Sequence, residues 1–88
     1  MKKATVEIIN KAGLHARASS KLVEVASRFS SDVRIGHEKM VDGKSILALM
    51  MLAASKGTQL SVETSGDDET QALDAIVALI HNKFDESE

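Results

Sequence analysis

The segment Ala12-Gly13-Leu14-His15-Ala16-Arg17 is where the chain changes its period. Before it, Ala4, Val6 and Ile8 alternate with Thr5 and Glu7, the two-residue repeat of a strand with one buried face. After it, Ala18, Leu22, Val25, Ala26 and Phe29 recur at helical spacing, with Arg17, Lys21, Glu24 and Arg28 marking the opposite face. The reading is a strand, a loop over Asn10 to Gly13, and a helix over about 16–28. Arg17 then stands on the wet side of that helix near His15, and Lys21 is expected to pair with Glu24.

A histidine at such a junction has a particular environment. The backbone N–H groups of a first helical turn have no partner inside the helix, and the helix dipole adds partial positive charge there. Both favour an anion, and Arg17 adds a full charge with planar donors that match a phosphate. Imidazole supplies a nitrogen nucleophile that is neutral near physiological pH. Together these suit a side chain that accepts a phosphoryl group and hands it on. The plain alternative is a loop histidine that merely caps a helix. His37, in a charged turn, and His81, on the polar side of a later helix, lack this setting and read as solvent-facing.

The rest of the chain follows the same two periods. Val33 and Ile35 alternate with Asp32 and Arg34 in a second strand, and Lys39 to Val41 can form a short edge strand before the Asp42-Gly43 turn. The apolar run of residues 46–54 favours helix, with Ser45 as its N-cap and Lys56-Gly57 as its stop. Leu60, Val62 and Thr64 alternate in a fourth strand. Asp68 and Gln71 are placed as a capping arrangement for a third helix, whose stripe is Leu73, Ile76, Val77, Ile80 and Phe84. Asp85 to Glu88 reads as a frayed acidic end. The order is βαββαβα in a single domain over residues 1–88. Strands with one polar face fit an α+β architecture, an antiparallel sheet with helices on one side.

Composition narrows the function classes. The net charge of -2 and the absence of Trp and Tyr argue against nucleic-acid binding, which wants basic patches and stacking platforms. There is no Cys, hence no disulfide framework or thiolate metal site, and no His/carboxylate cluster with ligand spacing. No cofactor is expected. No apolar run is long enough to enter a bilayer as a span, and the start of the chain lacks a signal core, so a cytoplasmic location is expected.

Ser45 and the run after it carry a second signal. On physical grounds alone Ser45 is a cap; its functional reading is phosphorylation at a helix start, which changes the charge of a docking surface. The run contains no polar residue, whereas a surface helix buries one stripe only. If Leu49, Leu52 and Ala53 face the core, Ile46, Leu47 and Met50 are left outside as an apolar patch for protein docking.

Gly13-Leu14-His15-Ala16-Arg17, with Gly43-Lys44-Ser45-Ile46 and Lys56-Gly57 further on, resembles the HPr family, the histidine-containing phosphocarriers of the bacterial phosphotransferase system. The likeness covers nearly the whole chain. It implies an open-faced β-sandwich of four antiparallel strands and three helices. It implies that His15 accepts a phosphoryl group, through Nδ1, from phosphorylated enzyme I, itself charged by phosphoenolpyruvate, and passes it to a histidine of an EIIA domain. Arg17 matches the arginine that helps hold and release the group. Ser45 matches the serine modified by HPr kinase/phosphorylase, and Ile46, Leu47 and Met50 match the patch that meets enzyme I and EIIA. A monomeric carrier, not an enzyme, is the expectation. One departure is Ala18, where the family usually has proline; alanine is a good helix former, so the helix is expected to survive.

Two readings compete with a sugar-branch carrier: a nitrogen-branch carrier of the NPr type, and a small regulatory or ligand-binding α+β domain in which His15 only caps. A stand-alone phosphatase-like enzyme ranks last, because no second set of convergent polar groups is evident beside His15.

Overall fold

The two-residue alternation sets the register of one four-stranded sheet. The computed structural model describes residues 1–88 and contains β1 (Lys2–Glu7), α1 (Ala16–Ala26), β2 (Asp32–Gly36), β3 (Met40–Asp42), α2 (Ile46–Met51), β4 (Gln59–Ser65) and α3 (Glu69–His81), followed by a short 3-10 turn over Lys83–Asp85. The strands lie in the order β1-β4-β2-β3, and every neighbouring pair is antiparallel. Ala4, Val62, Ile35 and Val41 stand opposite one another across the sheet and face the helices. On the other face Lys3, Glu63, Arg34 and Asp42 form a row of alternating charge, which supports the same register.

The helices close over one face. Ala18, Leu22 and Ala26 of α1, Leu49 of α2, and Ile76, Leu79 and Ile80 of α3 meet Val6, Ile8, Val33, Ile35, Leu60 and Val62 in one core. Each fully buried Leu or Ile contributes about 1.5–3 kcal/mol. Ala18 is fully buried in the first turn of α1, so a helix forms there without proline. The helix ends at Ala26, two residues before its expected limit, and Ser27 closes it.

Four expectations are corrected. First, α2 stops at Met51 instead of running to 54. Leu52 closes it, Ala53 turns the chain at φ 51°, and the carbonyl of Ala54 beyond the turn accepts from the Leu14 N–H. Ala53 is therefore exposed, and Lys56-Gly57 belongs to the turn into β4, where the Gly57 N–H donates to Ile8. Second, Lys21 pairs with Asp85, while Glu24 pairs with Arg28 one turn along.

Third, the Asp68 side chain makes no cap on α3. Its carboxylate accepts instead from the Ser31 hydroxyl and from the N–H groups of Ser30 and Ser31, tying the start of β2 to the start of α3. Fourth, α3 ends at His81, and Phe84 enters the core by another route. Lys83, Phe84 and Asp85 adopt left-handed φ values of 56°, 54° and 65°, which reverse the chain and bury Phe84 completely. That reversal carries residues 85–88 back over the start of α1, so the acidic end is docked rather than frayed.

The Asp68 contacts make a pH prediction. Hydrogen bonds from the Ser31 hydroxyl and the Ser30 N–H lower its pKa from 3.8 to about 2. A carboxyl whose folded pKa is depressed stabilises the fold fully above its unfolded value and loses that effect as the pH falls through the folded one. Asp68→Asn is expected to lower the urea midpoint at neutral pH, with the gap to the parent closing between pH 3.8 and about 2. Urea titrations followed by circular dichroism across that range check this; a gap independent of pH contradicts it.

Candidate functional site

The loop before α1 is shaped by one close main-chain approach. Gly13 sits at φ 69°, and a Cβ there would lie 2.5 Å from the Ala54 carbonyl oxygen. Only glycine combines that conformation with that contact. The next residue, Leu14, donates its N–H to the same carbonyl at 2.8 Å and is itself buried. The segment after α2 thus fixes the approach to His15.

His15 is the N-cap of α1, with extended backbone (φ -80°, ψ -175°). Its carbonyl accepts from the Ser19 N–H, and its Nδ1 accepts from the Arg17 N–H at 3.2 Å. A backbone N–H can only donate, so Nδ1 carries a lone pair and the ring proton belongs on Nε2. Nε2 faces the Glu86 carboxylate, a pure acceptor when ionised. The two bonds agree on one tautomer. The nucleophilic nitrogen faces the first turn of α1, where the unpaired N–H groups and the helix dipole favour an anion.

Glu86 is held as firmly as the histidine. Its other carboxylate oxygen accepts from the Asn10 amide at 3.0 Å, and the same amide group donates to the Gly13 carbonyl at 2.8 Å. Desolvation works against its ionisation, but the hydrogen bonds from Asn10 and His15 outweigh it and keep the pKa below the usual carboxylate value. The Glu86 side chain is 16% exposed and that of His15 30%, so the pair is shielded without being closed off. Further along, the Lys11 N–H donates to the main-chain oxygen of Glu88.

The surroundings form an open depression lined by Lys11, His15, Arg17, Lys21, Glu86 and Glu88. Lys21 is paired with Asp85, whereas Arg17 forms no ion pair and is exposed. Its guanidinium remains available to an incoming anion. No three metal-ligating side chains gather anywhere in the fold. Chemically, the arrangement offers a tautomerically fixed imidazole nitrogen beside anion donors, open to a large partner.

Ser45 and the apolar set lie on the neighbouring helix. The Ser45 hydroxyl accepts from the Ala48 N–H at 3.2 Å, capping α2 as the sequence implies. Ile46 is 41% exposed, Leu47 70% and Met50 42%, with only Leu49 of α2 fully buried. Met51 is 77% exposed and extends the patch by a residue that the sequence reading left out. Since α2 packs against α1, the structure brings the patch to the same side of the fold as the His15 helix. His37 and His81 are exposed, away from any such arrangement.

Sequence reasoning missed Asn10 and Glu86. Asn10 has a polar side chain in a loop, where exposure is the ordinary expectation, yet it is fully buried. Glu86 stands 71 residues from His15 in the chain, beyond the reach of any spacing rule.

The chain matches the family model described as the HPr component phosphorylation site of the phosphotransferase system, over residues 2–82. It is 58% identical to phosphocarrier protein HPr of Pseudomonas aeruginosa over 85 residues, 94% of either chain. It is 42% identical to phosphocarrier protein NPr of Escherichia coli over 86 residues, 96% of either chain. Among solved structures, HPr from Thermoanaerobacter tengcongensis superposes with a TM-score of 0.95 at 44% identity, covering 100% of both chains.

The Gly13 contact yields a stability prediction. Gly13→Ala places a Cβ against the Ala54 carbonyl and holds alanine in the left-handed region, which alone costs about 1–2 kcal/mol. Chemical denaturation is expected to show a loss of at least that size, with amide shift changes centred on residues 13–17 and 53–55. A neutral substitution contradicts the contact.

Proposed function

Because this chain belongs to the HPr family of phosphocarriers of the phosphotransferase system, we propose that His15 is the residue that carries the phosphoryl group, on Nδ1, between two partner proteins. The observation that supports this most directly is the Arg17 N–H bonded to Nδ1 at the start of α1. The Nδ1 lone pair attacks phosphorus, and the bond between phosphorus and the donor histidine breaks with its electron pair returning to the donor. The Arg17 N–H, released from Nδ1, turns to a phosphoryl oxygen, and the Arg17 guanidinium balances the charge. The donor is phosphorylated enzyme I and the acceptor an EIIA histidine. The protein acts as a monomer whose covalent phosphohistidine is an intermediate in the partners' reactions.

Ile46, Leu47 and Met50 serve as the docking patch, with Met51 at its margin. Ser45, at the edge of that patch, is the site for HPr kinase/phosphorylase. A phosphate on Ser45 sets a dianion beside apolar side chains that a partner must cover, which opposes docking by desolvation. The likeness to NPr favours a nitrogen-branch carrier as the second reading. The chemistry at His15 is the same in both branches; they differ in which donor and acceptor dock.

The direct test is intact-protein mass after incubation with phosphoenolpyruvate, Mg²⁺ and a catalytic amount of enzyme I. A single acid-labile phosphate adduct is expected for the parent and none for His15→Ala, which should stay folded. An adduct that persists in His15→Ala contradicts the assignment. Ser45→Asp is expected to slow transfer from enzyme I while leaving the final adduct in place; an unchanged rate contradicts the regulatory role.

A further inference from the structure

The chain has no Cys, so its four methionines, Met1, Met40, Met50 and Met51, hold its only sulfur atoms. Two of them are adjacent in the last turn of α2, where Met51 is 77% exposed and Met50 42%. Met51 also lines an open groove with Val41, Ala48 and Leu52, between α2 and β3. Met40 is half-buried in β3. Met1 is 71% exposed, but it stands beside the β1 edge of the sheet, whereas α2 packs on β3 at the opposite edge. Accessible sulfur is therefore gathered at the apolar patch, with one distant counterpart.

We propose that Met50 and Met51 form a reversible oxidation site, at which hydrogen peroxide turns the docking patch from apolar to polar and weakens partner binding. The proposal rests on the docking role given to α2 above. A sulfur lone pair attacks one peroxide oxygen and the O–O bond breaks. The departing hydroxide takes the proton of the transferred oxygen and leaves as water. Sulfur loses two electrons and peroxide gains them, so the products are methionine sulfoxide and water. A methionine sulfoxide reductase reverses the step, with a dithiol as reductant that ends as a disulfide, and water carries off the oxygen.

The change is one of polarity, without charge. A sulfoxide oxygen is a hydrogen-bond acceptor, and the last turn of a helix presents carbonyls, which are acceptors too. The N–H groups of Leu52 and Ala53 already donate to Leu49 and Met50. The side-chain donors that share the groove with Met51, His37 and Lys39, are themselves exposed to solvent. Water thus supplies the hydrogen bonds of the sulfoxide, and an apolar partner that covers it leaves it unpaired. A phosphate on Ser45 and a sulfoxide at Met50 or Met51 wet opposite ends of the same six-residue helix.

The test treats the folded protein with hydrogen peroxide, maps sulfoxides by peptide mass, and measures phosphoryl uptake from enzyme I at varied concentrations of this protein. Met1 and Met51 are expected to oxidise first, then Met50, and Met40 last. With Met50 and Met51 as sulfoxides, KM is expected to rise about tenfold or more, the effect of losing the burial of one large apolar side chain. The kcat is expected to hold, because His15 is untouched, and methionine sulfoxide reductase should restore the original KM. In Met50→Leu/Met51→Leu, the KM values before and after peroxide should agree even though Met1 is oxidised. Three results each overturn the proposal: Met50 and Met51 intact where Met1 is oxidised, a KM indifferent to their sulfoxides, or an equal peroxide-dependent rise in the double variant. Unoxidised Leu47→Asp tells this failure from failure of the docking reading. If its KM equals that of the parent, α2 does not dock and the proposal falls with that reading. If its KM is raised while oxidation of the parent changes nothing, the oxidation site alone is overturned.

Discussion

The imidazole of His15 is held at both of its nitrogens, and much of the surrounding structure serves that hold. Nδ1 meets an N–H that is free only because α1 begins there, and Nε2 meets a carboxylate that is present only because the chain reverses at Phe84. Each partner has its own support. The start of α1 depends on Gly13 fitting under Ala54, and Glu86 depends on the buried amide of Asn10. A ring gripped in this way has one tautomer and one orientation before any partner arrives. For a carrier that meets several proteins in turn, such preorganisation removes an ordering cost from every encounter.

The exposed apolar patch of α2 follows from a different constraint. A helix as short as α2 can bury one turn's worth of side chains, and Leu49 takes that place. The remaining large apolar residues face outward because six residues cannot hide them. Flexible methionines in such a patch adapt to more than one surface at little cost. His15 and the patch sit on packed neighbouring helices, α1 and α2.

What was legible in the sequence depended on short-range physics. Strand alternation at Ala4, Val6 and Ile8, the α1 stripe, the Ser45 cap and the outward set Ile46, Leu47 and Met50 each follow from neighbours within a few residues, and each is found in the fold. The failures share one cause. Local capping is the nearest use for Asp68, yet two N–H groups and a hydroxyl from residues 30–31 offer more. Propensity carries α2 on to residue 54, while the chain turns at Ala53 and the Ala54 carbonyl accepts from the distant Leu14 N–H. The acidic end looked frayed because nothing in residues 85–88 reveals that Asn10 and His15 await it. Each is a long-range hydrogen bond that overrides a local preference.

The account's central claim is that this two-sided hold leaves Nδ1 of His15 as the atom that takes the phosphoryl group. The most direct measurement is nitrogen-15 NMR of the imidazole-labelled, phosphorylated protein, which identifies the ring nitrogen bonded to phosphorus. Phosphorus is predicted on Nδ1, with Nε2 still protonated. Phosphorus on Nε2 would contradict it, since that nitrogen is the one occupied by Glu86.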